Sequence, residues 1–359
     1  MEIVFLQNSA TQPRCHKRYR SLVAAGVKGI VYSFNRNWYN VNLPEDIEIH
    51  SLGEITKGHY AKRLVYYIRK IKPVFKNHPN AVFYCYGLDT AFVAFLFRRN
   101  FVYEESDLEY LNFKSPFMRK SIKKLDLFIQ KNSKATVLTS QGFVDYLYKS
   151  KPKNIFVLPN KLPSSYEHIS RPLPPETIDM DRLRFAFVGL LRYGSTITPF
   201  IEEMVAYNKN FEFHFWGDGA ESEKAYVNSL CTKYEQVFYH GPFRNPGDLP
   251  SIYSSIDVNF VCYETNTINE RVAEPNKLYE SIFYLKPMIV SPNTYLSNVV
   301  QRIGNGFILD CHNKNNINNF LNTLTADLIQ NKILACKKVP SNEVMDSVED
   351  INALLDYIK

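Results

Sequence analysis

Apolar runs of four to six residues recur along this chain, each followed by a polar or glycine-bearing break and a longer mixed stretch. Short apolar runs read as buried strands, and apolar residues three and four apart read as helices. The resulting order of strand, loop, helix and strand predicts parallel βαβ units. Glu2–Leu6 is the first strand, Asn8–Pro13 a polar loop, and Cys15–Ala25 a helix that Gly26 closes. A strand over Val27–Phe34 follows. Further on come a helix over Ala61–Phe75, a strand over Ala81–Tyr86 and the segment Thr90–Arg99. Strands over Phe101–Glu104 and Lys134–Thr139, a short helix to Lys149 and a strand over Asn154–Leu158 complete a first α/β half.

Arg171–Pro175 carries three prolines in four residues, which forbids a helix interior and predicts a stiff linker. Beyond it the rhythm restarts. Strands are expected over Leu183–Val188, Phe211–Trp216, Val237–Tyr239, Asp257–Cys262, Met288–Val290 and Gly306–Leu309. Helices are expected over Ile197–Asn208, Glu221–Tyr234, Asp248–Ser254 and Asn276–Leu285, with a last one over Asn342–Ile358. The expected organisation is a first domain, 1–170, a second domain, 171–340, and a C-terminal helix, 341–359. Both domains read as Rossmann-like α/β folds facing a cleft, since ligands of such sheets sit beyond the strand ends.

Composition narrows the partners. At 359 residues and 45% apolar content the chain is long enough for two cores. No apolar stretch approaches the roughly 18–20 residues of a membrane span, and nothing before the first strand reads as a signal peptide. Six scattered cysteines lack metal-type spacing, which suits free thiols in a reducing cytoplasm. The net charge of +7 divides unevenly: residues 1–170 hold 26 Lys and Arg against 13 Asp and Glu, and the rest of the chain is net −6. In the basic half, the Ala61–Phe75 helix and Lys114–Leu125 interleave lysines and arginines with aromatic and aliphatic residues, as helices resting on an anionic membrane surface do. Neither stretch carries a nucleic-acid-binding motif, so no nucleic-acid partner is expected.

The candidate chemistry begins at Glu274–Ser291. An X-Pro pair opens a helix whose first turns hold Asn276, Lys277 and Glu280, and Lys286-Pro287 leads out into a strand. Polar groups at a helix N-terminus suit a phosphate. Gly189 lets backbone approach a ligand, and Arg192, three residues on, suits a diphosphate. The loops at Gly217 and at His240-Gly241 are of the same strand-end kind. In the first half, Asp107, Glu105, His16 and Asp89 lie on loops expected at the cleft, where a carboxylate could orient or deprotonate an acceptor hydroxyl.

In their order, Gly189 with Arg192, Gly217–Gly219, His240-Gly241, Ser251–Asp257 and Pro275–Glu280 through Pro287 resemble the donor domain of GT-B glycosyltransferases, family 4 in particular. The resemblance covers about residues 183–310, and Arg14 with Arg18, Tyr103–Leu108 and Val157–Asn160 look like landmarks of the acceptor domain. It implies a nucleotide-sugar donor as substrate, with Glu280 on the ribose and Arg192, Lys277 and the helix start at Asn276 on the diphosphate. It implies Gly217, His240 and Gly241 at the base, Arg14 and His16 on the acceptor side, retention of configuration, and no cofactor or metal. The expected acceptor is a glycan, polyprenyl-linked, in bacterial capsule, exopolysaccharide or O-antigen assembly. The expected location is cytoplasmic, peripheral at the inner face of the cell membrane. A nucleotide-sugar epimerase and a non-catalytic sugar-nucleotide-binding subunit are the alternatives. Two glutamates eight positions apart often mark this family, yet the position eight before Glu280 is Val272, with Glu274 and Glu270 as possible substitutes. The lysine commonly found after the Arg192 position and the glycine pair after the first strand are also absent.

Overall fold

In the computed structural model, which describes residues 1–36, 43–55, 60–207 and 210–359, the apolar runs named above are all strands. The chain divides into two units, Met1–Ser164 with Asp346–Lys359, and Ser165–Met345. The first contains β1 (Glu2–Gln7), α1 (Pro13–Ala24), β2 (Lys28–Asn35), β3 (Ile49–Glu54), α2 (Tyr60–Asn77) and β4 (Val82–Tyr86). It continues through α3 (Leu88–Leu96), β5 (Phe101–Glu105), α4 (Pro116–Asn132), β6 (Ala135–Leu138), α5 (Gln141–Leu147) and β7 (Ile155–Val157). The second contains β8 (Arg184–Val188), α6 (Gly194–Ala206), β9 (Glu212–Trp216), α7 (Glu221–Lys233), β10 (Val237–Tyr239), α8 (Leu249–Ser254) and β11 (Val258–Val261). Then come α9 (Ile268–Val272), α10 (Asn276–Phe283), β12 (Met288–Val290), α11 (Tyr295–Ile303) and β13 (Gly306–Ile308). Helices α12 (Lys314–Thr323), α13 (Ala326–Lys338), α14 (Ser341–Val344) and α15 (Val348–Ile358) end the chain.

Each unit holds one parallel sheet. The first has seven strands in the order β3-β2-β1-β4-β5-β6-β7, the second six in the order β10-β9-β8-β11-β12-β13. The strand order reverses between β1 and β4 in one and between β8 and β11 in the other, and the crevice beyond the strand ends at such a reversal is where these sheets take ligands. Strands buried on both faces explain the continuous apolar runs. In the first unit one face of the sheet packs beneath α2, α3 and α4 through Tyr67, Ile71, Ala91, Val93 and Ile129. The other face is covered by Cys15 and Leu22 of α1 and by Ile351, Leu354, Leu355 and Ile358 of α15.

Three expectations change. The proline run is not the linker: Arg171 donates to the carbonyls of Ile282 (2.7 Å), Cys336 (2.8 Å) and Val339 (2.7 Å), fastening the run to the second unit. The units instead divide at Ser164, six residues before the expected boundary. The expected single helix over Asn342–Ile358 is two, because Ser347 caps a new start by accepting from Asp350 N–H, and α15 returns to the first unit. Strand β3 was not expected. It lies at a sheet edge and buries only Leu52, so its sequence IHSLGE carries little apolar signal. Helices α9, α11, α12 and α13 add to those named. The end of the expected helix Ile197–Asn208 falls on a residue outside those described; α6 ends at Ala206.

Candidate functional site

The carboxyl ends of β8 and β11 build the candidate site in the second unit. Gly189 leaves β8 with φ 131°, and its N–H donates to Trp216 O at 2.8 Å. Gly217 follows β9 with φ 148° and donates to Gly241 O at 2.8 Å. A Cβ at Gly217 would lie 1.8 Å from the Gly189 carbonyl oxygen. These glycines therefore lace three strand-end loops together, a role the sequence does not distinguish from ligand contact.

Lys277 reaches back across this lattice from the first turn of α10. A Cβ at Gly189 would stand 3.0 Å from Lys277 Cε, so the glycine makes room for the lysine stem. The ammonium lies 4.0 Å from the centre of the Phe187 ring and 5.8 Å from that of Tyr263. Tyr263 stacks on Tyr193 at 4.6 Å, and the Arg192 guanidinium sits 5.3 Å from the Tyr193 ring. Burial first, then the Arg192 charge, pull Lys277 down to about 7, while Glu280 opposes both. Among the described residues neither cation has a carboxylate in ion-pair distance. Pro275 supplies no side-chain cap and its carbonyl accepts from Leu278 N–H at 3.0 Å, so the Asn276 and Lys277 N–H groups of α10 await an acceptor from outside the helix. The start of α6, by contrast, is occupied by Glu264, which accepts from Ser195 N (3.3 Å) and Oγ (2.8 Å). Two cations beside an uncapped helix start suit a diphosphate.

Glu280 is 5% exposed and accepts from the Tyr253 hydroxyl at 2.8 Å. Asn259 Nδ2 donates to that hydroxyl (3.3 Å) and to Ser281 Oγ (2.7 Å), so a buried polar network orients the carboxylate. Of the two carboxylates near the Val272 gap, Glu270 closes a capping box with Thr267, and Glu274 accepts from the Tyr279 hydroxyl. His240, expected at the base, belongs to the outer strand pair. It stacks on Trp216 at 4.1 Å, its Nε2 lies 3.0 Å from His214 Nδ1, and burial lowers its pKa. The aromatic wall of Phe187, Tyr193 and Tyr263 was missed. Its rings come from segments up to 76 positions apart, and only the placement of each just inside or beyond a strand end signals them.

In the first unit the structure joins two of the expected residues: Arg14 pairs with Asp107 at 3.2 Å, with Asp107 exposed. Glu105 is corrected. It ends β5 at 1% exposure, accepts from Gln130 Nε2 at 2.7 Å, and shares a buried site with Asp126. Burial and that neighbour hold its pKa well above the usual carboxylate range, so it serves the packing of α4 rather than an open loop. His16 is buried as well. Its Nε2 meets Ala10 O at 2.8 Å, anchoring the loop after β1, and burial lowers its pKa. Arg18, a landmark of the resemblance, is an internal ion-pair partner of Glu104.

No family model matches the chain, and no curated protein sequence does. Solved structures do share its fold. HepE of Anabaena, in complex with UDP and glucose, is similar over 99% of this chain and 98% of its own, with a TM-score of 0.71 at 14% identity. Sucrose-phosphate synthase from Thermosynechococcus elongatus is similar over 100% and 96%, with a TM-score of 0.69 at 14% identity. MnaA of S. aureus, solved with UDP, is similar over 100% and 96%, with a TM-score of 0.63 at 11% identity. At such identities the likeness shows the fold: two Rossmann-like domains of the GT-B type.

Proposed function

We propose that this chain is a glycosyltransferase that moves a sugar from a nucleotide-sugar donor to a glycan acceptor, with retention and without a metal. The observation that carries the reading is the pair Lys277 and Arg192, free of carboxylate partners among the described residues, beside the uncapped start of α10. As the sugar–phosphate bond breaks, negative charge develops on the departing diphosphate, and fixed cations with oriented N–H groups stabilise that charge. In a retaining reaction the leaving phosphate takes the acceptor's proton, so no strong protein base is required. Glu280, held by Tyr253, accepts from the ribose hydroxyls. The solved complexes of HepE and MnaA with UDP support a nucleotide of this kind as the donor's leaving group.

Thermal unfolding with a panel of UDP-, GDP-, dTDP- and ADP-sugars tests the reading. A bound donor at 100 times its dissociation constant stabilises by about 2.7 kcal/mol. The matching donor raises Tm, and Glu280→Gln diminishes the rise. No rise with any member overturns the proposal. Turnover of the donor without acceptor assigns an epimerase instead, and binding without turnover on any glycan assigns a non-catalytic subunit.

The acceptor in this proposal is a lipid-linked glycan of capsule, exopolysaccharide or O-antigen assembly, met at the inner face of the cell membrane. Helix α4 supports it. Phe117 (76% exposed), Lys120, Lys124, Phe128 (48% exposed) and Lys131 recur at helical spacing on one outward stripe. The carboxylate on that helix, Asp126, is buried on the opposite side. Two apolar rings among ammonium groups match an anionic lipid surface, where each Lys or Arg contributes about 1 kcal/mol. Sedimentation with phosphatidylglycerol vesicles at low salt is expected, and Lys120→Ala with Lys124→Ala weakens partitioning about thirtyfold. Retention of the unaltered protein in the supernatant removes the membrane from the proposal.

A further inference from the structure

The sequence scatters six thiols along the chain, and the second unit brings two of them together. Cys262 directly follows β11, and Cys311 lies three positions beyond β13. Strand β12 runs between those two in the sheet, so the side chains reach each other past its carboxyl end. Cys311 Sγ–H donates to Cys262 Sγ at 3.6 Å, with the two residues 2% and 0% exposed. Among the described residues no other two of the six thiols share such a contact. A disulfide needs the sulfurs about 2.05 Å apart, so the pair lies about 1.5 Å from a bond.

The two sulfurs differ in how they can be reached. Cys262 is held from both sides: its carbonyl accepts from Thr196 Oγ1 at 2.8 Å, and the next carbonyl, of Tyr263, accepts from Ser291 Oγ at 2.5 Å. Burial first, then Cys311, raise the Cys262 thiol well above its ordinary range, so by itself it is a poor nucleophile. Cys311 sits in a turn closed by short-range bonds, with Asp310 Oδ1 accepting from His312 N at 3.0 Å. His312 and Asn313 are exposed, and β13 before them is a three-residue edge strand. Local opening of so short an edge segment brings the Cys311 sulfur into water without unfolding the sheet.

We propose that Cys262 and Cys311 are an oxidisable pair, closed by hydrogen peroxide into a disulfide that loosens the nucleotide site beside β11. Peroxide first oxidises the Cys311 thiol to a sulfenic acid and is reduced to one water. When the turn closes again, the Cys262 sulfur attacks the Cys311 sulfur. The S–S bond forms, the S–O bond breaks, and the hydroxyl leaves with the Cys262 proton as a second water. Two thiols thus lose two electrons and two protons to one peroxide. Exchange with a small thiol reopens the bond, so in a reducing compartment it is transient. With both carbonyls pinned, the closing movement strains the backbone at Tyr263, whose ring stacks on Tyr193 at 4.6 Å and stands 5.8 Å from the Lys277 ammonium. The effect on the nucleotide rests on the glycosyltransferase reading; the disulfide itself does not.

Titration of the full chain with hydrogen peroxide, quenched with iodoacetamide in denaturant and followed by peptide mapping, tests the proposal. The expected product is a cross-linked peptide pair joining Cys262 to Cys311, two hydrogens lighter and released by dithiothreitol. Cys311→Ser abolishes it, and Cys231→Ser, which removes a half-buried thiol elsewhere, leaves it in place. Affinity for the matching nucleotide sugar falls about tenfold in the oxidised protein, returns with dithiothreitol, and does not fall in peroxide-treated Cys311→Ser. If that variant does not fold, the recovery with dithiothreitol in the unaltered protein carries the same comparison. Cys262 and Cys311 alkylated separately after peroxide, or oxidised further without a cross-link, overturn the proposal. A cross-linked protein that binds the nucleotide sugar as the reduced one does overturns its effect on the site. If the cross-link forms but no nucleotide sugar raises Tm in either state, the glycosyltransferase reading fails and the oxidisable pair stands.

Discussion

Arg18→Ala is expected to destabilise the first unit by about 3–5 kcal/mol, the range for removing one partner of a buried ion pair. Arg18 is 1% exposed and Glu104 2%. Arg18 Nε donates to Glu104 Oε2 at 3.1 Å, and Nη2 donates to Leu158 O at 2.7 Å, so one guanidinium ties α1 to the ends of β5 and β7. The Tyr84 hydroxyl also donates to Glu104. Burial, and then the Glu104 charge, raise Tyr84 far above the usual phenol range, so this hydroxyl stays a neutral donor to the carboxylate. Without Arg18, Glu104 keeps one neutral donor and loses its counter-charge, and the Leu158 carbonyl loses a donor. Urea unfolding should move the midpoint by one to several molar, since slopes for domains of this size are about 1–3 kcal/mol per molar. The double variant Arg18→Met with Glu104→Leu should recover most of the loss, because it removes both charges together. A single-variant loss below about 1 kcal/mol would contradict a buried, mutually dependent pair.

The second large effect concerns Lys277. Lys277→Met is expected to weaken binding of a nucleotide sugar by about 1.5–3 kcal/mol, the value of a hydrogen bond to a charged group, or roughly 10- to 150-fold. Burial and Arg192 hold the free ammonium at about 7, and a bound diphosphate favours its protonated form. Affinity is therefore level below about pH 7 and falls above it, by at most tenfold per unit, until the pKa of the bound state is passed. In Lys277→Met the fall disappears. Titration calorimetry with the matching donor between about pH 6 and 8.5 reads both, since the diphosphate of a nucleotide sugar does not itself titrate there. A pH-independent affinity in the unaltered protein would remove Lys277 from the diphosphate. Without ligand the sign reverses: the unfolded lysine holds its proton up to about 10.4, so the unfolded state binds more protons above pH 7 and stability rises with pH across that window.

How much of this was legible depends on the range over which each signal acts. The α/β class, the two parallel sheets and the helix that begins at Asn276 follow from local patterns. Strands buried on both faces must be apolar throughout, and a helix between Pro275 and Pro287 has few other places to start or stop. The polar head of that helix was legible for the same reason. Its partners were less so. That Gly189 makes room for Lys277, or that Gly217 stands against the Gly189 carbonyl, depends on neighbouring strands at a common level, which spacing along the chain does not encode.

The errors have a common cause. Glu105 and the proline run were read from their loop-like surroundings, yet Glu105 is turned under α4 and Arg171 fastens the run to carbonyls more than a hundred positions away. Arg18 was read only as a landmark of the resemblance, because nothing near it in the sequence marks it as buried; a carboxylate 86 positions on, on an inner strand, brings it inside. By itself the sequence determined most of the strands and helices, with β3, α9 and α11 to α13 the exceptions, their parallel pairing, and the polar head of the helix that begins at Asn276. Only the tertiary structure decided which charges are internal partners and which lie without a carboxylate in ion-pair distance among the described residues, because burial and pairing are properties of neighbours in space.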